Sequence, residues 1–510
     1  MSAVVVCVVY LVSVTLLGSL LARRAASSSG WAVASGNMGL WMVAAGVAGT
    51  RIGGVGTYGV AGDVMATGLW NLWYGVNTFL ALALVGLFFA VPFRRLGLST
   101  VAEIFTRRYG TRRCQVLTSL CVQTEYFIVN VLEPFVIGSI LSTLTGIPFG
   151  AAVFIAAGVL IAYTALGGLW GSAVTNLVHC VVVVLGLGAI VVAGVRHLGG
   201  WAEVTRGVDA ALLEAGPQAV STVSWWSFVG AGWGAVLAMF FSATIHTPAA
   251  SVYVNFSSAA KSEKTLAPAF LLGGAVAALM PLLAGLVGVL ALARYGYDSG
   301  LASYRSITQV AIDISPILGG VAVAAILAAV ISSGGPILLA SATMVVRDWV
   351  PGSDKFSSET QLRAYRGVTV VYGLVAAFVA WQAEIRSILD LLLLGFAMVV
   401  PPAIAMSYLL YWRRTSEAGC FWGIVLGYGI SLAWWGGIRW AEATEFAVSE
   451  GASAFERLLH TLFVFRGEGI DPSYPATLIP LVAVPVLSLL LPDADDELSE
   501  TFYSRLSRPG

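Results

Sequence analysis

Arg51 sits in the middle of an apolar run long enough to cross a bilayer. Three carboxylates share such surroundings: Asp63 on the same run, and Glu125 and Glu133 on another. A charged side chain at the centre of the hydrocarbon costs at least roughly 2.5–3.5 kcal/mol by insertion scales, so Arg51 needs a partner, and these three are the candidates. A guanidinium–carboxylate pair there is either a structural bridge or part of a site for a charged solute, because the two groups pair bidentately. Ionisable residues inside a membrane mark substrate and ion pathways by default. Glu133 has a further chemistry open to it, since a buried carboxylate beside a solute can carry a proton. Tyr126, Asn130 and Glu133 recur at i, i+4 and i+7, a spacing that places them on one helix face.

The elements that must hold these groups are set by composition. Of 510 residues, 58% are hydrophobic and 11% charged, against roughly 25% charged in a soluble domain. Apolar runs of about 20 residues, the length that crosses the hydrocarbon core, recur from end to end, so the lipid bilayer is the first partner. Net charge is zero, which gives no pointer to nucleic acid. The five cysteines lie scattered in apolar stretches without metal-ligand spacing and read as reduced, buried residues. No zinc-binding His-Glu-x-x-His, no Gly-x-Ser-x-Gly and no paired catalytic Asp motif is present, so the chain does not read as an enzyme, and no cofactor is implied.

Thirteen helices are expected, near 2–22, 39–67, 70–93, 114–145, 149–166, 171–195, 225–250, 267–293, 316–346, 364–383, 387–411, 418–438 and 474–492. The first lacks the basic residues that precede a signal peptide's apolar stretch and reads as a retained helix. With the N-terminus outside, cytoplasmic segments hold eighteen Lys and Arg and outer segments eight, which obeys the positive-inside rule. The fold class is therefore an all-α polytopic membrane protein of about 13 transmembrane helices, N-terminus outside and C-terminus cytoplasmic.

Glycines 46, 49, 53, 54, 56, 59 and 62 crowd the second span and cover every face of it. Close packing through small residues uses one face, so this pattern predicts a helix that unwinds. Gly230, Gly232 and Gly234 form a second cluster, in the seventh span. Glycine-interrupted spans at corresponding places in two halves point to an inverted repeat. The organisation is a first helix and loop (1–38), a repeat over 39–197, an outer loop (198–224), a second repeat over 225–411, and two peripheral helices with an outer loop and short tail (412–510).

Four stretches resemble the sodium–solute symporter family, whose core is the LeuT-like five-plus-five fold: WMVAAGVAGTRIGGVGTYGVAGDVMATG, LGLSTVAEIFTRRYG, YTALGGLWGSAVTNLVH and AAVISSGGPILLASATMVVRDW. The resemblance runs over roughly 2–415 and matches in helix order. It implies a secondary transporter of a small polar solute in the plasma or inner cell membrane, working by alternating access as a monomer or weak homo-oligomer. It also implies a sodium site between the first and eighth core helices, made by the carbonyls of Gly49, Ile52 and Ala329 and the hydroxyls of Ser332 and Ser333. Oxygen ligands of this kind suit a hard cation. Back-bonding of both serines to their own helix is the alternative.

Three departures bear on the ion. Arg51 stands where the family has an acidic or small polar residue; Asn176 replaces the Asp of a Thr-Asp pair; His179 replaces a Gln. A positive charge is gained and a negative one lost beside the site, so the sequence predicts transport that depends little on sodium, with H+ as the alternative coupling ion. Arg51 either replaces the ion or meets an anionic group of the solute. His246, followed by Thr247 and Pro248, reads as a helix end. Trp225 and Trp226 read as an interfacial belt. Phe396 and Asp390 are further pocket candidates. A sensor built on a symporter-like domain is the competing function.

Overall fold

A computed structural model describes residues 2–20, 25–216, 219–297, 305–383, 385, 387–448, 452–464, 470–493 and 497–507. Residues 21–22 of the first expected span lie outside these, as do five of the basic residues on which the expected orientation rests, Arg23, Arg24, Arg386, Arg466 and Arg508.

The described residues form helices and no strands; their one β pairing is a bridge between Met38 and Ala260. In chain order the main helices are α1 (Ser2–Leu20), α2 (Leu40–Gly54), α3 (Val60–Thr67), α4 (Trp73–Leu84), α5 (Arg113–Thr145), α6 (Phe149–His197), α7 (Gly232–Phe240) and α8 (Ser251–Ala259). There follow α9 (Leu266–Tyr295), α10 (Pro316–Met344), α11 (Ser358–Gln382), α12 (Ile388–Tyr411), α13 (Glu417–Ala443), α14 (Ser473–Leu490) and α15 (Glu497–Ser507). Among the described residues nine helices are long and apolar enough to cross a membrane, and ten if the bent stretch Gly232–Ala249 plus Ser251–Ala259 is one span.

Several starts were written locally. Ser315, Ser357, Ser387 and Ser416 each accept a bond from the backbone N–H three residues on, satisfying a donor the helix itself cannot. Pro316 follows Ser315 at the first helical position, where its missing N–H is harmless. The stripe of each helix decides its place. From Ala322 to Met344 every residue of α10 is buried, so this helix, apolar or small on all sides, is the centre of the bundle. By contrast α11 leaves Val371 and Phe378 exposed on an apolar outer face.

Three breaks shape the interior. The first falls at Gly53, whose φ of 48° and ψ of 162° interrupt the α2 line before a π turn over Val55–Gly59. A side chain there would be strained by handedness, and an added Cβ would also lie 3.0 Å from Glu133 Oε1. The second falls at Gly168 (φ 54°, ψ −157°) within the 49 residues of α6. At 1.5 Å per residue that helix runs about 73 Å, more than twice a hydrocarbon core of about 30 Å. It thus covers both spans expected over 149–195.

The third break is not where the glycines predicted. Gly232 merely opens α7, and Gly230 lies in the turn before it. The interruption comes after Phe240, in a π turn over Phe241–Ile245, a tight turn at Thr247–Ala249, and an extended Ala250 with ψ of 108°. Pro248 explains it, because proline supplies no N–H to bond the turn above. The two arms of this stretch meet at 47°. Trp225 is likewise not an interfacial residue: it is fully buried, its backbone closing on Gly68, while Trp226 donates to Asp209 (2.8 Å).

At one end of the bundle the basic loops are pinned by ion pairs: Arg95–Glu263 (2.8 Å), Arg347–Glu103 (2.7 Å) and Arg113–Glu417 (2.6 Å). There α15 buries Phe502 and Tyr503, and the Tyr503 hydroxyl donates to Leu409 O (2.9 Å).

Candidate functional site

The break in α2, the centre of α10 and the middle of α5 meet, and two groups of side chains result. In the first, Ser332 Oγ lies 2.8 Å from Gly49 O and 2.7 Å from Ala329 O. The back-bonding expected of this hydroxyl is present, to Ala329 O, and the same hydroxyl also bridges to α2 at Gly49 O. Ser333 Oγ is 3.3 Å from Ala329 O and donates to Glu133 Oε1 at 2.5 Å. Glu133 Oε2 accepts from Gly54 N–H at 3.0 Å, a donor exposed where the helix unwinds. Ile52 is buried directly before that break. The oxygens of Gly49, Ala329, Ser332 and Ser333 form one contiguous patch of hard donors, with a carboxylate bonded to it.

Asn176 on α6 completes this group. Its amide donates toward Gly46 O (3.3 Å) and Ser332 O (3.2 Å), tying α2 to α10, which an aspartate could not do. A Cβ at Gly49 would lie 2.3 Å from that amide nitrogen, so Gly49 is required for the approach.

The second group lines a cavity of about 30 Å³ beside the first, among Arg51, Glu125, Glu133, His246, Tyr253 and Phe396. Arg51 does not pair as expected. Among the described residues no carboxylate lies within ion-pair distance of it. Its Nη2 donates to Ala243 O, a carbonyl at the third break, and Nη1 lies 3.4 Å from His246 Nε2. His246 Nδ1 donates to Ser242 O (2.5 Å), which leaves Nε2 as the acceptor. The imidazole stacks on Phe396 at 3.9 Å between centroids, and the guanidinium carbon stands 4.9 Å from the same ring. A backbone carbonyl, a neutral imidazole and a π face thus hold the cation expected to need a carboxylate.

A family model, "Sodium:solute symporter family", matches residues 31–427. The chain belongs to the sodium:solute symporter family. It is a secondary active transporter, not an enzyme, and a multi-pass protein of the cell membrane. Relatives include the osmoregulated proline transporter OpuE of Bacillus subtilis, 23% identical over 84% of this chain and 87% of that one. A sodium/proline symporter of Staphylococcus aureus is 23% identical over 84% of each. Among solved structures, a Na+-coupled sialic acid symporter in a substrate-bound, outward-open state matches 97% of this chain and 99% of its own, with a TM-score of 0.75 at 18% identity. MhsT in complex with L-phenylalanine matches 88% and 98%, with a TM-score of 0.54 at 14% identity. These likenesses show a common fold.

Against the family pattern, the other expected residues divide. Glu125 lines the cavity with Val129 and Glu133, so the facing stripe is i, i+4, i+8. The expected face, Tyr126 with Asn130, is rotated off it. Tyr126 Oη accepts from Val252 N–H (2.8 Å), pinning the start of α8, and Asn130 donates to Tyr126 O (2.7 Å). Asp63 does not line the cavity and makes no ion pair with Arg51; Asp390 is its electrostatic neighbour. His179 is buried, bonds the Tyr10 hydroxyl through Nδ1 and does not line the cavity. His246 and Phe396 were legible only as loose candidates, and the Ala243 carbonyl carries no sequence signal beyond the nearby Pro248.

Proposed function

We propose that this transporter moves a small polar solute by alternating access, coupled to a cation held at the oxygens of Gly49, Ile52, Ala329, Ser332 and Ser333. Glu133 is the counter-charge of that site. The observation that carries this reading is the 2.5 Å bond from Ser333 to Glu133, closed by Gly54 N–H. A carboxylate absent at position 176 is supplied from α5 instead. Arg51 donates to Ala243 O at the third break, which supports sodium coupling over independence from sodium and argues against Arg51 as a resident ion. The relatives named sodium/proline symporters favour Na+; Glu133, able to take a proton, makes H+ the second reading. Their being transporters also favours transport over sensing. Thirteen spans, an outside N-terminus and repeats over 39–197 and 225–411 complete the proposed organisation, with no cofactor other than the coupling ion.

The test is uptake by purified protein in sealed vesicles, with sodium replaced by choline at fixed pH and, separately, with a pH gradient alone. One of the two gradients is expected to drive accumulation, and Glu133→Gln to reduce that drive more than it reduces solute binding. Accumulation indifferent to both gradients would overturn cation coupling. Equal loss of drive and binding would make Glu133 a solute ligand.

A further inference from the structure

An arginine and a glutamate side chain line one small cavity without pairing with each other. Arg51 and Glu125 are 5% and 3% exposed, and both line it. Each keeps one polar atom that no described residue satisfies: Nε of Arg51 and Oε2 of Glu125. Buried polar groups are otherwise paired in folded proteins, and a guanidinium would close on a carboxylate if it were free to do so. It is not free. Ala243 O and His246 hold its two Nη atoms, and the Phe396 ring lies against its carbon. Glu125 is fixed on α5, whose Cα at that position packs against Gly395 of α12. The two groups are therefore held by separate helices, each with one unsatisfied polar atom beside the cavity that both line.

We propose, resting on the transport reading above, that Arg51 and Glu125 together select a small zwitterion, the Arg51 edge taking its carboxylate and Glu125 its ammonium. An anion alone leaves Glu125 buried and unpaired, and a cation alone leaves Arg51 so. Stranding a buried charge weakens binding by about a hundredfold or more. Selectivity therefore comes from rejection as much as attraction. Glu133 is already engaged by Ser333 and Gly54, which leaves it to the ion. The solute is small, because the aromatic walls of Tyr253 and Phe396 close around only about 30 Å³ and must part to admit it.

The experiment uses the full chain in vesicles, with a probe panel of L-alanine, L-proline and glycine betaine as zwitterions, lactate as the anion, choline as the cation and urea as the neutral solute. Zwitterions are expected to be taken up at least about a hundredfold more efficiently than lactate or choline. Glu125→Gln should lower zwitterion uptake about a hundredfold and narrow the gap to lactate, and Arg51→Gln should narrow the gap to choline. Glu125→Asp and Arg51→Lys should recover part of the loss, which a purely structural role would not produce. Melting temperatures of the variants identify misfolding; if both Gln variants misfold, the wild-type panel and the conservative pair decide. Preference for lactate, choline or urea over every zwitterion overturns the proposal, as does an unchanged ranking in folded Glu125→Gln, or no uptake of any zwitterion. Failure of the whole panel to accumulate would count against the zwitterion; failure of every solute in a broad screen, ion gradients present, would count against transport itself.

Discussion

Single atoms decide which chemistry each polar residue can perform. Asn176 donates toward two carbonyl oxygens, Gly46 O and Ser332 O. Asn176→Asp would set a carboxylate against both, leaving acceptors facing acceptors, a loss of about 1–3 kcal/mol or more. The expected outcome is a melting temperature lowered in sodium-free buffer and recovered as sodium is added, because a cation between the oxygens replaces the lost donor. No recovery at any sodium concentration would speak against a cation at this place. Ser333→Ala removes the donor to Glu133 at 2.5 Å; uptake should lose gradient dependence at least tenfold while solute binding changes less. The sequence showed these residues as polar intruders in apolar runs but not who meets whom. Ser333 and Glu133 are 200 residues apart, and Arg51 and His246 are 195 apart. Charge arithmetic suggested a carboxylate for Arg51, whereas a neutral ring and a backbone carbonyl do the work, and neither announces itself in a sequence.

Helices were legible as apolar runs with serine caps, and their breaks only in part. The Gly53 break followed from a glycine excess that no packing face could explain. The break after α7 did not, because the glycines there mark a helix start and the operative residue is Pro248. The Gly53 break can be tested against a neutral position. Gly53→Ala adds a left-handed alanine, roughly 1–2 kcal/mol, and presses on Glu133 Oε1. Uptake should fall more than tenfold. Gly158, in α6 with open space around its would-be Cβ, should accept alanine with unchanged uptake and about 1 kcal/mol of added helix preference. Equal effects at the two positions would mean that the unwound segment has no special role.

For the whole molecule, a zero net charge hid a strongly asymmetric distribution, from which orientation was inferred. Cysteines placed at Ser262 and Lys355 are expected to react only with reagents that reach the cytoplasm, and one at Leu213 only from outside. Labelling of 262 and 213 from one side would refute the thirteen-span arrangement. The C-terminal helix α15 is also expected to brace the end where the ion pairs gather. Tyr503→Ala, which removes a buried ring and its bond to Leu409, should lower the melting temperature by several degrees, a loss on the order of 3 kcal/mol.

Tyr10 and His179 join the first helix to the sixth across 169 residues of chain. A ribosome adding about 5–20 residues per second needs roughly 8–34 s after Tyr10 before it makes His179. Throughout that interval α1 is an orphan among lipids, carrying a phenol with nothing to hold. Its outward Val5, Val8, Val9 and Val12 suit it to wait there, and the bond cannot form before α6 is made. Tyr10→Phe should therefore leave early membrane insertion untouched and show its effect only after α6 has arrived, as a late-acquired resistance to protease in chains arrested at successive lengths.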